Sequence, residues 1–554
     1  MQYRARVPRR LLLGPLLRYV GETEATLWVE TDGPCEVSAL HAAAPTFCVR
    51  GRHYGLLYVK GLEPGTRYEY AVELDGERVW PDPGSAMPAP SIRTPKAGER
   101  HRVVFGSCRV AYPHESPYDL TKDESPLGRE VDALRAYALR MRELPESEWP
   151  HLLLMLGDQV YADEVSPHVK EFIRSRRDTS VPPGEEVADF EEYARLYHEA
   201  WGEPVIRWLL STVSTAMVFD DHDVHDDWNT SREWVEEMRA QPWWNERIAG
   251  AFMSYWLYQH LGNLSPREHD GDELLQRARR VPDVGDHLHE FALRADRTTD
   301  GSRWTFCRDV ARTRVVVVDS RAGRVLEDGD RRMVDDDEWA YVVDRARGDF
   351  NHLLLASSLP FLLPRPTHDL EAWNERVCDG AWGRPFAGLG ERVRQGLDLE
   401  HWAAFDRSLE AVERLLREVG SGEHGDPPAT IAMLSGDVHY AYLAEVGFPR
   451  EAGVRSAVYQ ITCSPFRNPL DSHERAAVRL SCSRAGGVLG RALARSAGAR
   501  RPGIGWRLSH GPAFDNQVAT FEWEGVHAEL TIERAVPGQR DEPRLETTFR
   551  QTLA

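Results

Sequence analysis

Cysteine is scarce in this chain, with seven in 554 residues and none in a Cys-x-x-Cys pair. An odd, scattered set excludes a disulfide framework and points to a reducing, cytoplasmic setting. No run of about 18 apolar residues occurs, so no membrane-spanning helix and no membrane insertion are expected. Positive charge is also short: 68 Lys and Arg stand against 88 Asp and Glu, a formal charge of −20. That excludes the basic footprint of general nucleic-acid binding, and no sequence-specific nucleic-acid partner is expected. An anionic small molecule stays open as a ligand, because bound cations reverse a local field. A Gly-x-Ser-x-Gly elbow is missing too, which removes the serine version of ester hydrolysis.

What is present begins near the N-terminus. Arg9-Arg10 before Leu11-Leu12-Leu13 has the look of a twin-arginine export signal. Gly14-Pro15 breaks that run, Arg18 ends it, and the chain moves directly into the strand-like Ala25-Thr26-Leu27-Trp28-Val29. The segment is therefore expected to belong to the mature protein. The length suggests one large and one small domain. Residues 1–95 are expected to form an all-β domain, with Leu27 and Val29 alternating with polar neighbours and turns at Asp32-Gly33-Pro34, Glu63-Pro64-Gly65 and Asp75-Gly76. The stretch from Gly61 to Tyr70 resembles fibronectin type III-like domains.

After a Pro-rich linker, residues 96–540 read as an α/β domain. Buried strands are expected at 103–105, 152–156, 216–219, 315–318, 353–356 and 431–434, with closing strands at 518–522 and 529–532. The charged, tryptophan-rich segment at about 164–303 reads as a helical insertion over the site. Residues 484–501 read as a basic surface helix or loop. Most of the strands end in polar, metal-competent residues, where open α/β sheets place their ligands.

Four such ends carry chemistry: Gly106-Ser107-Cys108-Arg109, Gly157-Asp158-Gln159-Val160-Tyr161-Ala162-Asp163, the run from Asp220 to Asp227, and Gly436-Asp437-Val438-His439. The third packs five Asp and two His into eight residues, and repelling carboxylates at that density call for a cation. Asp158 and Tyr161 stand three apart, so one turn aims both at one metal. A thiolate at Cys108 and a phenolate at Tyr161 favour a ferric ion over magnesium or calcium.

Taken in order, Gly-Ser-Cys, Gly-Asp-x-x-Tyr, Asp-Asp-His-acid-Val and Gly-Asp-Val-His resemble the PhoD-like phosphatases, the alkaline phosphatase D group of calcineurin-like metallophosphoesterases. The resemblance implies a four-layer αββα metallophosphoesterase sandwich behind an N-terminal β domain. It implies Fe(III) and Ca(II), with Mn, Mg or Zn as alternatives, and a small phosphorylated substrate. Phosphate mono- or diesters would be hydrolysed by a metal-bridged hydroxide. The metal ligands it implies are Cys108, Asp158, Tyr161, Asp221, Asp437 and His439. His222 would protonate the leaving oxygen, Asp223 would orient His222, and Arg109 and His225 are expected at the substrate. The chain departs from the family in having His225-Asp226-Asp227 where Asn is frequent, and in Ser357-Ser358 where the wider superfamily has a metal-binding His. The alternatives are a non-catalytic metal-binding interaction protein and a metal-dependent hydrolase of another ester. Oligomeric state is left open.

Overall fold

The computed structural model describes residues 8–299, 301–327, 329–539 and 542–554. The first seven residues of the expected β domain, position 300 of the expected insertion and position 540 at the end of the expected larger domain lie outside the described residues.

Near the N-terminus, Leu11–Val20, Glu24–Thr31, Arg52–Lys60 and Phe47–Val49 make a four-stranded antiparallel sheet. Its Leu17, Leu27, Val29, Leu57 and Val59 pack on Val37 and Leu74 of a second small sheet. The alternation at Leu27 and Val29 holds, but their neighbours Trp28 and Glu30 are buried as well. They face the α/β part. Trp28 lies 5.3 Å from the Tyr258 ring, and the Glu30 carboxylate accepts from Arg52 at 2.6 Å and from the Tyr258 hydroxyl at 3.0 Å. His198 Nε2 completes this polar joint 2.8 Å from Glu30.

Two larger sheets follow. In the first, β1 (His101–Gly106), β2 (Leu152–Leu156) and β3 (Ser214–Val218) run parallel. Gln517–Glu524, His527–Val536 and Arg544–Thr552 extend this sheet antiparallel from β1. In the second, β4 (Thr313–Val318), β5 (His352–Ser357) and β6 (Thr430–Ser435) run parallel inside a seven-stranded sheet. Period-two alternation divides its residues between two cores. Val315, Val317, Leu354, Ala356, Ala432 and Leu434 face the first sheet. Val316, Val318, Leu353, Leu355, Ile431 and Met433 face outward, where helices Asp336–Arg345 and Asp406–Ser421 cover them. Burial on both faces is why these strands read as unbroken apolar runs. With helix Ala133–Glu143 on the outer side of the first sheet, the layers are α, β, β, α.

The tryptophan-rich segment does fold mainly into helices, but its tryptophans are core rather than cover. Trp201, Trp208, Trp228, Trp234, Trp244 and Trp256 are buried, and only Trp243 of the seven is partly exposed. Large aromatic area of this kind stabilises by packing against its own helices and against the first sheet.

Because Glu30 is fully buried among Arg52, His198 and Tyr258, Glu30→Ala removes the acceptor shared by all three, while Arg52 keeps its pair with Glu191. We expect a loss of about 1–3 kcal/mol, read as a lower thermal melting temperature. An unchanged melting temperature would show that the joint contributes nothing.

Candidate metal centre

The carboxyl ends of β1, β2, β3, β4 and β6 meet at one place. Cys108 follows β1, Asp158 follows β2, Asp220-Asp221-His222 follow β3, Arg321 follows β4, and Asp437 and His439 follow β6. The turns are sharp. Cys108, Asp158, Asp437 and His439 all have positive φ, at 55°, 52°, 66° and 56°. That region is costly for residues with a Cβ and persists where surrounding structure holds it, commonly at functional sites. Gly157, with φ of 101°, leaves room for Asp220: a Cβ at position 157 would stand 2.6 Å from Asp220 Cβ.

Backbone hydrogen bonds tie these turns together. Cys108 N donates to Gly157 O at 3.2 Å, and Asp437 N donates to Ser107 Oγ at 3.0 Å. The buried Asp223 carboxylate is the clip between the β2 and β3 loops. It accepts from the backbone N–H groups of Asp158 (3.1 Å), Val160 (3.3 Å) and Asp220 (2.9 Å). Burial pushes Asp223 up to about 7, with those donors working against it.

Three groups of side chains bring potential ligand atoms within 4.8 Å of one another: Cys108–Asp158–His439, Asp158–Asp221–His222 and Asp220–Asp221–Asp437. Asp158 is common to the first two. The Tyr161 hydroxyl lies 3.3 Å from Asp158 Oδ2 and accepts from Asn468 Nδ2 at 3.3 Å. Asp158 Oδ1, Asp220 Oδ2 and Asp221 Oδ1 are buried without a hydrogen-bond partner. Burial, with Asp221, Asp220 and Asp223 nearby, pushes Asp158 well above the carboxylate range, while Asp221 rises to about 6. The thiol of Cys108 and the phenol of Tyr161 are likewise raised by burial and by Asp158. Burial pushes His439 down to about 3, leaving the neutral imidazole that ligates metals. Orphaned buried oxygens, mutually repelling acids and mixed S, N and O donors together fit metal cations.

The third group already holds a cation. The fully buried guanidinium of Arg321 donates to Asp220 and, at 2.5 Å, to Glu400, and stands 3.2 Å from Asp221 and 3.8 Å from Asp437. Asp437 is further held by His401 Nε2 at 3.0 Å, whose Nδ1 meets the buried Glu371 at 2.7 Å. Burial alone would raise Asp437, but His401 and Arg321 outweigh it and hold it at about 2.

His222 Nδ1 bonds Asp163, at 2.9 and 3.1 Å, and not Asp223. Burial opposes the imidazolium, yet Asp163 and Asp221 outweigh it and lift His222 well above its usual range. Asp223 is therefore not the orienting partner, because its lone pairs are taken by backbone donors. The two residues expected at the substrate also lie elsewhere. Arg109 is buried, donating to Asp132 and to the Ala200 carbonyl, each at 2.8 Å. His225 Nδ1 donates to its neighbour's carbonyl, and its ring packs between Trp234 and Trp243.

A cavity of about 960 Å³ opens over the centre, with Asp158, Asp221, His222, Asp437, His439 and Lys122 on its floor. Its far wall comes from helices α1 (Arg365–Cys378), α2 (Ser472–Ser481) and α3 (Arg484–Ser496) and the loop at 397–401. The tryptophan-rich segment contributes little beyond the β3 loop and Glu164.

Sequence reasoning assigned no role to Arg321, Asp220, Asp163, Glu400, His401 or Lys122. The first three carried a signal: Arg321 and Asp220 sit just past strand ends, and Asp163 closes the β2 segment. Glu400, His401 and Lys122 lie in loops far from any of the four motifs, with nothing local to mark them.

Residues 133–334 match the family model of the PhoD-like phosphatases, and residues 8–92 match DUF7800, a domain of unknown function. No curated protein matches the chain. Among solved structures the chain is similar to PhoD, at 12% identity and a TM-score of 0.57, over all of this chain and 92% of that one. It also matches a purple acid phosphatase from yellow lupin (Lupinus luteus) seeds, at 10% identity and a TM-score of 0.48, over 97% of this chain and 73% of the other. The likeness to PhoD is one of fold.

Removing the guanidinium leaves the buried Asp220 and Asp221 without their arginine, while Arg324 still serves Glu400 and His401 still serves Asp437, so Arg321→Met should lower thermal stability by about 3–5 kcal/mol in chelator-containing buffer. Added calcium should restore part of it, since a ligand that binds the folded form stabilises by mass action. A variant as stable as wild type in chelator would show that these acids need no cation.

Proposed function

We propose that this chain, PhoD-like over residues 133–334, is a metal-dependent phosphoesterase acting on small phosphate mono- or diesters in the cavity above Asp158. One observation carries the reading: two groups of potential metal ligands share a single buried carboxylate, Asp158. Cys108, Asp158, Tyr161 and His439 would hold one cation, and Asp158, Asp221 and Asp437 a second. Thiolate and phenolate donors suit Fe(III), and the oxygen-rich group suits Ca(II), with Mn, Mg or Zn as substitutes. Bound there, such cations neutralise the equatorial phosphate oxygens and lower the pKa of a bound water.

The chain's own residues do the rest. His222 lines the cavity with Nδ1 fixed on Asp163, which leaves Nε2 to give its proton to the leaving oxygen. Asp163, not Asp223, is its positioning residue. The Lys122 ammonium on the floor takes the substrate-facing role expected of Arg109. Asn468, buried with its Oδ1 unpartnered, holds the Tyr161 hydroxyl in place. Arg321 and His401 keep Asp437 ionised. All seven cysteines are free, which supports a reducing, cytoplasmic setting. No helix among the described residues is long and apolar enough to cross a membrane.

Purified protein should hydrolyse bis-nitrophenyl phosphate or nitrophenyl phosphate and carry iron with a tyrosinate charge-transfer band. Asp158→Ala should lose bound metal and at least about a hundredfold in turnover. Full activity in a metal-free Asp158→Ala sample would end the reading. Asp163→Asn removes the charge that lifts His222, so the basic limb of the kcat–pH profile should move to lower pH while metal content stays. The fall in kcat at pH 8 should be about tenfold or more; an unmoved limb would take the proton-donor role from His222.

A further inference from the structure

Outside the ligand cluster the cavity changes character. Its far wall is apolar: Leu370 from α1, Leu480 from α2, Leu489 and Leu493 from α3, and Leu397 and Leu399 from the loop between. At the rim three of these side chains stand in water, Leu397, Leu480 and Leu489 being exposed by 58%, 69% and 63%, while Leu399 is buried. Helix α2 has no buried residue. Helix α3 is set close on α1, since a Cβ at Gly490 would meet the Pro366 carbonyl oxygen at 2.9 Å. Exposed leucines in a chain of net charge −20 mark a surface that binds apolar matter.

The wall is continuous with the floor along the chain itself. Leu399 precedes Glu400, the partner of Arg321; Leu370 precedes Glu371, the partner of His401; Val438 lies between Asp437 and His439. A phosphate seated over the floor therefore has the leucines within the same cavity to receive one ester substituent. Lys122 on the same floor complements the anionic end.

Resting on the phosphoesterase reading, we propose that the substrate is an amphiphile: a phosphate ester whose alkyl or acyl chain lies against the wall formed by α1, α2, α3 and the 397–401 loop. Hydrolysis breaks one P–O bond, with water supplying the hydroxyl to phosphorus and a proton to the departing oxygen. The apolar chain is the specificity determinant.

Calorimetric titration of the purified full chain with methyl phosphate and with hexyl phosphate tests the wall directly. A buried methylene is worth about fourfold in affinity, so hexyl phosphate should bind about tenfold tighter or more even with part of the chain covered. Leu480→Asp combined with Leu489→Asp changes exposed positions that the fold does not need, and should bring the ratio of the two affinities close to one. Equal affinities in wild type, or a ratio unmoved in the variant, overturn the proposal. On the same sample, hexyl 4-nitrophenyl phosphate should be turned over with a higher kcat/KM than the methyl ester, the leaving group being the same. Tighter hexyl binding with neither ester hydrolysed would keep the apolar subsite and remove the hydrolytic reading instead.

Discussion

Repulsion among buried carboxylates is the constraint around which this site is built. Asp158, Asp220, Asp221 and Asp437 come from three different loops and converge without enough positive charge from the protein to balance them. Folding brings them together because the loops have little choice. The parallel strands beneath are buried on both faces, and their carboxyl ends point the same way. Tight turns with positive φ then aim Cys108, Asp158, Asp437 and His439 into one volume. The apolar cores of the two sheets thus offset both backbone strain and electrostatic repulsion at their edge.

The protein relieves that repulsion unevenly. Asp223 spends its lone pairs on three backbone N–H groups, so it stabilises the loops and not a ligand. Arg321 offsets part of the charge of the oxygen-only group, and His401, backed by Glu371, takes part of the charge on Asp437. Asp158 has no such direct ion pair: His222 nearby and the Tyr161 hydroxyl on Oδ2 offset part of its charge, but Oδ1 is unpartnered and burial with the surrounding acids raises its proton affinity. The carboxylate shared by two ligand groups is the one left for a cation to satisfy.

How much of this was legible in the sequence follows from locality. The strands from β1 to β6 announce themselves as apolar runs ending in polar turns, because burial on both faces suppresses alternation. The four ligand-bearing segments were legible for the same reason, each being a strand end. Residue roles were less so. Asp223 looked like a partner for His222 by adjacency, yet adjacent residues in that turn point apart, and the imidazole instead meets Asp163, 59 positions away. Arg109 stood beside Cys108 in sequence, but its side chain turns to Asp132 on the other side of the loop. His401 and Glu371 reach the site from the helical region after β5, which carries no motif. Likewise, tryptophan content suggested cover for the site, whereas the rings were needed to pack the inserted helices onto the first sheet.

The position of Arg321 bears on how many cations the centre takes. A guanidinium can be a permanent counter-ion for Asp220 and Glu400, because its pKa keeps it charged and its fork meets two acids at once. It cannot polarise a water as a metal does, and it cannot be exchanged or removed. Arg321 therefore builds the charge balance of Asp220 and Glu400 into the fold, while the balance of a second region, Asp158 and the acids that face it, depends on supply. Cys108 and Tyr161 sit beside the second region, and both are raised by burial toward their neutral forms. Ionising them requires a strongly charged ion, so the demand for a cation falls on the side of the cluster where the softer donors lie.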